Sequence, residues 1–333
     1  MLEHGGGIQE AARRYNIDPE HWLDLSTGIN PMGWTAPSSI PPEIWRRLPE
    51  PDDGLETSAL EYYNCANILP AAGSQAIIQA MPRLRKPGKV AVLSPGYAEH
   101  SHAWQKNGHT VIFASSKELE KLVHDTSVDV VVIINPNNPT GEMTSPEKLL
   151  AWRNVLAKRG AWLVVDEAFM DSTPEQSIFH YVNNSVSIPD SLIVLRSLGK
   201  FFGLAGVRVG FASASPDLLH QISDELGPWN VNGPARYIAQ LALHDYAWHK
   251  KTRLRLQKDG LRLKQLLTKF DLTPTGDAIL FQWSINSNAR NIYETLAQNS
   301  ILVRYFDKPK SIRIGLPPDD VSWSRLENAF LKL

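Results

Sequence analysis

Residues 128–141 read VDVVVIINPNNPTG. The first half is β-branched and aliphatic, broken only by Asp129, and has no polar face, which suits a strand covered on both sides of a sheet. The second half, Asn135-Pro136-Asn137-Asn138-Pro139-Thr140-Gly141, extends neither a strand nor a helix. Its two Asn-Pro steps hold the chain in a loop that can aim an Asn amide into a cleft. Working outward, similar apolar runs predict strands at Lys89–Leu93, Thr110–Phe113, Val130–Ile134, Trp162–Val165, Leu192–Leu195 and Val209–Ala212. Helical stretches fall between most of them, at Ser74–Leu84, Ala98–Lys106, Lys117–Val123, Pro146–Lys158 and Pro216–Leu226. That alternation predicts an α/β fold with a mostly parallel sheet covered by helices. Ligands in such sheets sit at the carboxyl ends of the strands.

The flanks differ in texture. Residues 1–50, with PMGWTAPSSIPPE inside them, read as an irregular N-terminal arm that packs with the C-terminal part. Residues 51–228 form the large domain, and 229–333 a smaller α+β domain that opens with one or two long helices over 234–268. The 333 residues carry 34 Lys plus Arg against 35 Asp plus Glu, so charge gives no case for nucleic acid or an anionic membrane. No apolar run approaches a membrane span, and the N-terminus lacks the apolar core of a secretory signal. The single Cys65 excludes an internal disulfide framework and a thiolate metal cluster. The expectation is a cytoplasmic protein with no metal.

Unusual residues gather just past the predicted strand ends. Ala72-Gly73-Ser74-Gln75 opens a helix and is either a plain N-cap or an anion site. Tyr97 in Ser94-Pro95-Gly96-Tyr97 either packs in a Pro-Gly turn or stacks on a planar ligand. Asp166 in Asp166-Glu167-Ala168-Phe169 needs a cationic or protonated partner if buried, or else caps a helix. Lys200 lies in Ser197-Leu198-Gly199-Lys200, with Arg208 eight residues on in AGVRVG. A lysine there, desolvated or near another cation, suits a Schiff-base amine beside an anion site.

In order and spacing, AGSQ, PGY, NPNNPTG, DEAF, SLGK and AGVRVG resemble the pyridoxal-phosphate enzymes of the aspartate-aminotransferase superfamily, fold type I. The resemblance implies pyridoxal 5'-phosphate as cofactor and Lys200 as the residue that attaches to it. It implies Asp166 for the ring nitrogen, Asn138 for the ring hydroxyl and Tyr97 for the ring face. The phosphate would be held by Gly73, Ser74, Gln75, Ser197 and Arg208. Many relatives have Tyr where this chain has Phe169, so one donor to the ring oxygen is missing. The resemblance also implies a homodimer in which Tyr63, or alternatively Tyr62, crosses to the neighbouring subunit's cofactor phosphate.

The chain ends narrow the chemistry. His4-Gly5-Gly6-Gly7-Ile8 and Trp22-Leu23-Asp24-Leu25-Ser26-Thr27-Gly28-Ile29-Asn30-Pro31 resemble the threonine-phosphate decarboxylases of cobalamin biosynthesis, relatives of histidinol-phosphate aminotransferases. That implies decarboxylation of O-phospho-L-threonine to (R)-1-amino-2-propanol O-2-phosphate and CO2. His4, Gly5, Gly6, Asn30, Asn138 and Arg304 would meet a small phosphorylated amino acid, and Arg313 in SIRIG would take its α-carboxylate. A histidinol-phosphate-type aminotransferase, which needs a 2-oxo acid acceptor, is the alternative. A cofactor-sensing regulator is a further one, though no DNA-binding segment accompanies it here.

Overall fold

The computed structural model describes residues 4–180 and 191–333. In chain order the strands are β1 (Leu23–Asp24), β2 (Leu69–Ala71), β3 (Lys89–Leu93), β4 (Thr110–Ala114), β5 (Val128–Ile134), β6 (Trp162–Asp166), β7 (Leu192–Ser197), β8 (Gly210–Ser213), β9 (Phe281–Ile285), β10 (Ile301–Leu302), β11 (Arg304–Asp307) and β12 (Lys310–Gly315). Seven of them form the main sheet in the order β2-β8-β7-β6-β5-β3-β4. The run from β7 to β4 is parallel, whereas β8 and β2 are antiparallel to their neighbours. All six predicted strands are present. The sequence reading passed over β2, whose LPA is too short and too proline-bearing to stand out; it is held at the sheet edge by pairing with β8.

Both faces of the sheet are buried. Ala91, Val131, Ile133, Leu163 and Val165 pack into one cluster, and Val90, Val92, Val130, Val132 and Val164 into another on the opposite face. This is the strand alternation put to use twice, and it explains why β5 reads as a continuous apolar run. The helix expected over Ser74–Leu84 ends at Ala80 and continues as a 3-10 turn over Met81–Leu84. Pro82 has no N–H with which to extend the helical ladder.

The C-terminal part is a three-stranded antiparallel sheet, β11-β12-β9, with helices Ala289–Gln298 and Asp320–Phe330. The N-terminal arm is less irregular than its sequence suggests. Helix Ile8–Tyr15 lies against helix Ala289–Gln298, and β1 pairs in parallel with β10. The arm then returns to the large sheet, where Asn30 N–H donates to Lys200 O at 3.0 Å and Trp34 N–H to Phe202 O at 2.8 Å.

Helix Gly233–His244 packs on Leu55–Tyr63 of the large part, where buried Arg236 binds Asp53 and Glu56. The next helix, Tyr246–Lys269, contacts β9 of the small sheet, and its Gly260 packs closely on the backbone of Ile279 just before that strand. Among the described residues, no helix is long and apolar enough to cross a membrane.

Candidate active site

A cavity of about 640 Å3 opens at the carboxyl ends of the parallel strands. Tyr97 follows β3, Asn138 follows β5 and Lys200 follows β7, while Arg304 and Arg313 face them from the small sheet and His4, Gly5 and Thr27 from the arm. The NPNNPTG loop is tied down by Asn137, whose Nδ2 donates to Pro95 O and to Thr140 Oγ1, both at 2.8 Å. This leaves the next residue, Asn138, to reach inward, where its Oδ1 accepts from Arg313 NH1.

Asp166 ends β6 and is 3% exposed. Its Oδ1 accepts from Ala168 N–H at 3.0 Å, and its Oδ2 pairs with His100 Nε2 at 2.8 Å. His100 was not singled out from the sequence. The signal was present, since three residues after Tyr97 on a helix puts both side chains on one face.

Arg313 is buried and Lys200 half-buried, both facing the cavity. Burial lowers the Lys200 ammonium most, Arg313 adds to this and Asp166 opposes it, leaving the amine near about 8. Its Nζ stands 5.2 Å from the centroid of the Phe169 ring, so the residue that replaces the expected Tyr offers a π-face instead of a hydroxyl. Arg313, 5% exposed, is lowered to about 10 by burial first and by Arg304 next, against the pull of Asp24. It donates to Asn138 Oδ1 and Ser26 O, and no carboxylate among the described residues pairs with it. A buried guanidinium bonded only to neutral groups is costly, and an incoming anion repays that cost.

The helix starting at Ser74 has Gly73 at its N-cap with no side-chain cap; Ala76 N–H turns back to Gly73 O at 3.2 Å, which leaves those of Ser74 and Gln75 at the helix start. A Cβ on Gly73 would meet Arg208 NH2 at 2.7 Å, and one on Gly210 would meet Ser74 N at 2.3 Å. The two glycines thus let a guanidinium and a helix start crowd together. Ser197 ends β7, three residues before Lys200, and its Oγ accepts from Gly199 N–H at 3.2 Å. The Gln75 side chain is engaged by Tyr97 at 3.3 Å and Glu99 at 2.7 Å, which leaves its backbone N–H as the group it could offer an anion.

Two expectations change. Tyr63 is 5% exposed, buried in its own subunit against Phe211 and with the Arg196 guanidinium 4.5 Å from its ring. The alternative, Tyr62, packs on Phe202 and accepts from Arg253 at 3.0 Å. Tyr63 is thus packed within its own chain, and the half-buried Tyr62 is bonded within it. Asn30 does not line the cavity: its Nδ2 donates to Phe201 O at 2.8 Å and its Oδ1 accepts from Arg255 at 2.8 Å. It anchors the arm to the Lys200 loop. Gly5 and Gly6 pack on Ser26, with Gly6 N–H donating to Ser26 Oγ at 2.8 Å.

A family model for aminotransferase class I and II matches residues 45–322. A threonine-phosphate decarboxylase of Pseudomonas aeruginosa is 50% identical over 331 residues, covering 99% of this chain and 98% of its own. Another, of a Sinorhizobium species, is 37% identical over 338 residues, covering 100% and 98%. The chain belongs to the threonine-phosphate decarboxylase branch of the class I and II aminotransferases. A histidinol-phosphate aminotransferase of Sinorhizobium meliloti, solved in complex with pyridoxal-5'-phosphate, shares the fold with TM-score 0.80 at 20% identity, covering 98% of this chain and 94% of that one.

The residues of this decarboxylase-branch chain fit pyridoxal phosphate on their own chemistry. The crowded helix start with Arg208 would suit a phosphate, the buried Asp166 carboxyl would suit a ring nitrogen, and the Lys200 amine would suit an aldehyde. Among the described residues no cluster of metal-ligating side chains occurs.

Two expected results follow from this geometry. The neutral amine is the form that attaches to an aldehyde, so cofactor attachment to Lys200 should speed up as pH rises through about 8, not through the ordinary 10.5. Stopped-flow absorbance after mixing cofactor with cofactor-free protein reads this, and a midpoint near 10 would refute it. His100→Phe removes the hydrogen bond that fixes Asp166 while keeping a ring in the space. Loss of a buried charge-assisted bond predicts a fall in kcat of roughly 10- to 100-fold with little change in KM.

Proposed function

We propose that this chain removes the carboxyl group of O-phospho-L-threonine, yielding (R)-1-amino-2-propanol O-2-phosphate and CO2. The observation that carries the reading is the pair of arginines, Arg304 and buried Arg313, facing Lys200 across one cavity. A substrate with a carboxylate at one end and a phosphate at the other answers both. The resemblance of the relatives at 50% and 37% identity selects the decarboxylation.

Bound pyridoxal phosphate supplies the electron sink that accepts the bonding pair as CO2 departs. Arg313, anchored by Asn138 and Ser26, grips the α-carboxylate and sets its angle, which is catalysis by positioning. Arg304, His4 and the glycines behind it hold the phosphate. Asp166, steadied by His100, carries the negative charge that keeps the ring nitrogen protonated. Lys200 Nζ, near about 8, can return a proton to the α-carbon at neutral pH.

A homodimer belongs to the same reading. Trp45 and Leu48, 64% and 62% exposed, are apolar surface that a second copy would cover. Sedimentation velocity tests it.

The deciding experiment is CO2 release from O-phospho-L-threonine with and without 2-oxoglutarate. Release independent of the acceptor, with an aminopropanol phosphate product, supports the reading. Glutamate formed only with the 2-oxo acid, and no CO2, would leave the histidinol-phosphate-type aminotransferase in its place.

A further inference from the structure

Glu99 is absent from every role assigned above, yet its carboxylate is the meeting point of two parts of the fold. It accepts from Gln75 Nε2 at 2.7 Å and Gln79 Nε2 at 3.4 Å, both on helix Ser74–Ala80, and pairs with His4 Nε2 at 2.9 Å. Gln75 Oε1 in turn accepts from Tyr97 OH at 3.3 Å. A continuous chain His4–Glu99–Gln75–Tyr97 therefore runs from the N-terminal segment to the face of the cavity where the cofactor ring belongs.

The segment it holds is otherwise thinly attached. Gly6 sits at φ +88° and its N–H bonds Ser26 Oγ, and Gly5 lies so close that a Cβ would meet Ser26 O at 2.3 Å. His4 and Gly5 line both the 640 Å3 cavity and a neighbouring one of about 740 Å3, so this segment, together with Arg304, Phe306 and Lys308, separates them. An exposed ion pair contributes little to stability, but the Glu99 side chain is only 14% exposed and is gripped on two sides. The carboxylate stands beside the site of a doubly anionic substrate with both oxygens engaged, Oε1 by His4 Nε2 and Oε2 by the two glutamines.

We propose that Glu99 is a positioning residue that fastens the N-terminal segment across the cavity. It holds the His4 ring ready for the substrate phosphate and links that closure to the residues beneath the cofactor. The substrate half of the inference rests on the decarboxylase reading; the fastening half does not.

The test uses the cofactor-loaded protein with Glu99→Gln, which keeps the volume and removes the charge, together with His4→Ala and the double variant. Hydrogen exchange without substrate reads the fastening: amides of residues 5–7 should exchange about tenfold faster in Glu99→Gln, with those of β5 unchanged. With O-phospho-L-threonine, KM should rise about tenfold in either single variant while kcat moves less than about twofold. The double variant should be no worse than either single one, since both remove the same link. Unchanged exchange at residues 5–7, or single-variant effects that multiply, would overturn the proposal. So would weaker cofactor binding in Glu99→Gln with the segment still protected, because Glu99 would then serve only its helix. If the protein releases no CO2, the substrate reading fails while the exchange result still decides the fastening.

Discussion

Lys200→Ala should release no measurable CO2, a loss of roughly 10^4-fold or more, while keeping its fold. The size follows from the role: Lys200 is the amine at the floor of the cavity, lowered by burial, whereas Lys308, the other lysine on its walls, is exposed. Lys200→Arg should be equally inactive although it keeps a cation, because a guanidinium stays protonated and does not attach. Stability provides an independent check. A lysine whose amine is lowered to about 8 in the fold, against 10.5 when unfolded, leaves the folded state holding fewer protons between those values. The cofactor-free parent should therefore gain stability as pH rises from about 8 to 10.5, with the full penalty of burial present below 8. Lys200→Ala should lack that rise. Urea midpoints across this range measure it, and parallel curves for parent and variant would show that Lys200 is not the buried amine described here.

The parts of this site that follow directly from a strand were legible before the structure. A covered parallel strand must be apolar along its length, so the first residues free to be polar are those just past its end, and that is where Tyr97, Asn138, Asp166 and Lys200 stand. What was not legible depends on contacts between distant segments. Asn30 looked like a substrate residue because it ends a conspicuous motif, yet Phe201 and Arg255, far along the chain, use up its amide. Tyr63 looked able to cross to a neighbour because nothing local announces Arg196, whose guanidinium covers its ring. The helix Ile8–Tyr15 hid inside a stretch read as irregular. Ile8, Ala11, Ala12 and Tyr15 do fall at helical spacing, but the stripe is two turns long and is held by a partner, helix Ala289–Gln298, that lies almost at the other end of the chain. His4 is the mixed case: the glycines marked the segment, but only the structure shows Glu99 beneath it.

Arg196→Ala should be the most destabilising single substitution outside the apolar core. Arg196 lies on β7, 2% exposed, and donates to Glu167 at 2.6 Å and to Asp171 at 2.5 Å, both fully buried. Burial works against its charge, and Asp171 and Glu167 more than offset this, holding the guanidinium above its ordinary value. Glu167 is pushed up by burial despite Arg196, so its carboxylate depends on that partner. Removing the cation strands two carboxylates in a dry interior, which costs about 3–5 kcal/mol. The pair formed by Asp166 and Glu167 shows how one strand end serves two purposes. Successive residues point to opposite faces, so Asp166 meets His100 beside the cavity while Glu167 is locked behind it with Ser177 and Ile178. Losing Arg196 should therefore reach the site through the backbone at Asp166, lowering kcat as well as stability. The contrast that separates the two explanations is Arg196→Met with Glu167→Gln and Asp171→Asn. With no ion left unpaired, the triple variant should recover most of the urea midpoint that Arg196→Ala loses. If it is as unstable as the single variant, the cluster stabilises by its specific hydrogen bonds, and the cost of Arg196→Ala is not that of stranded charge.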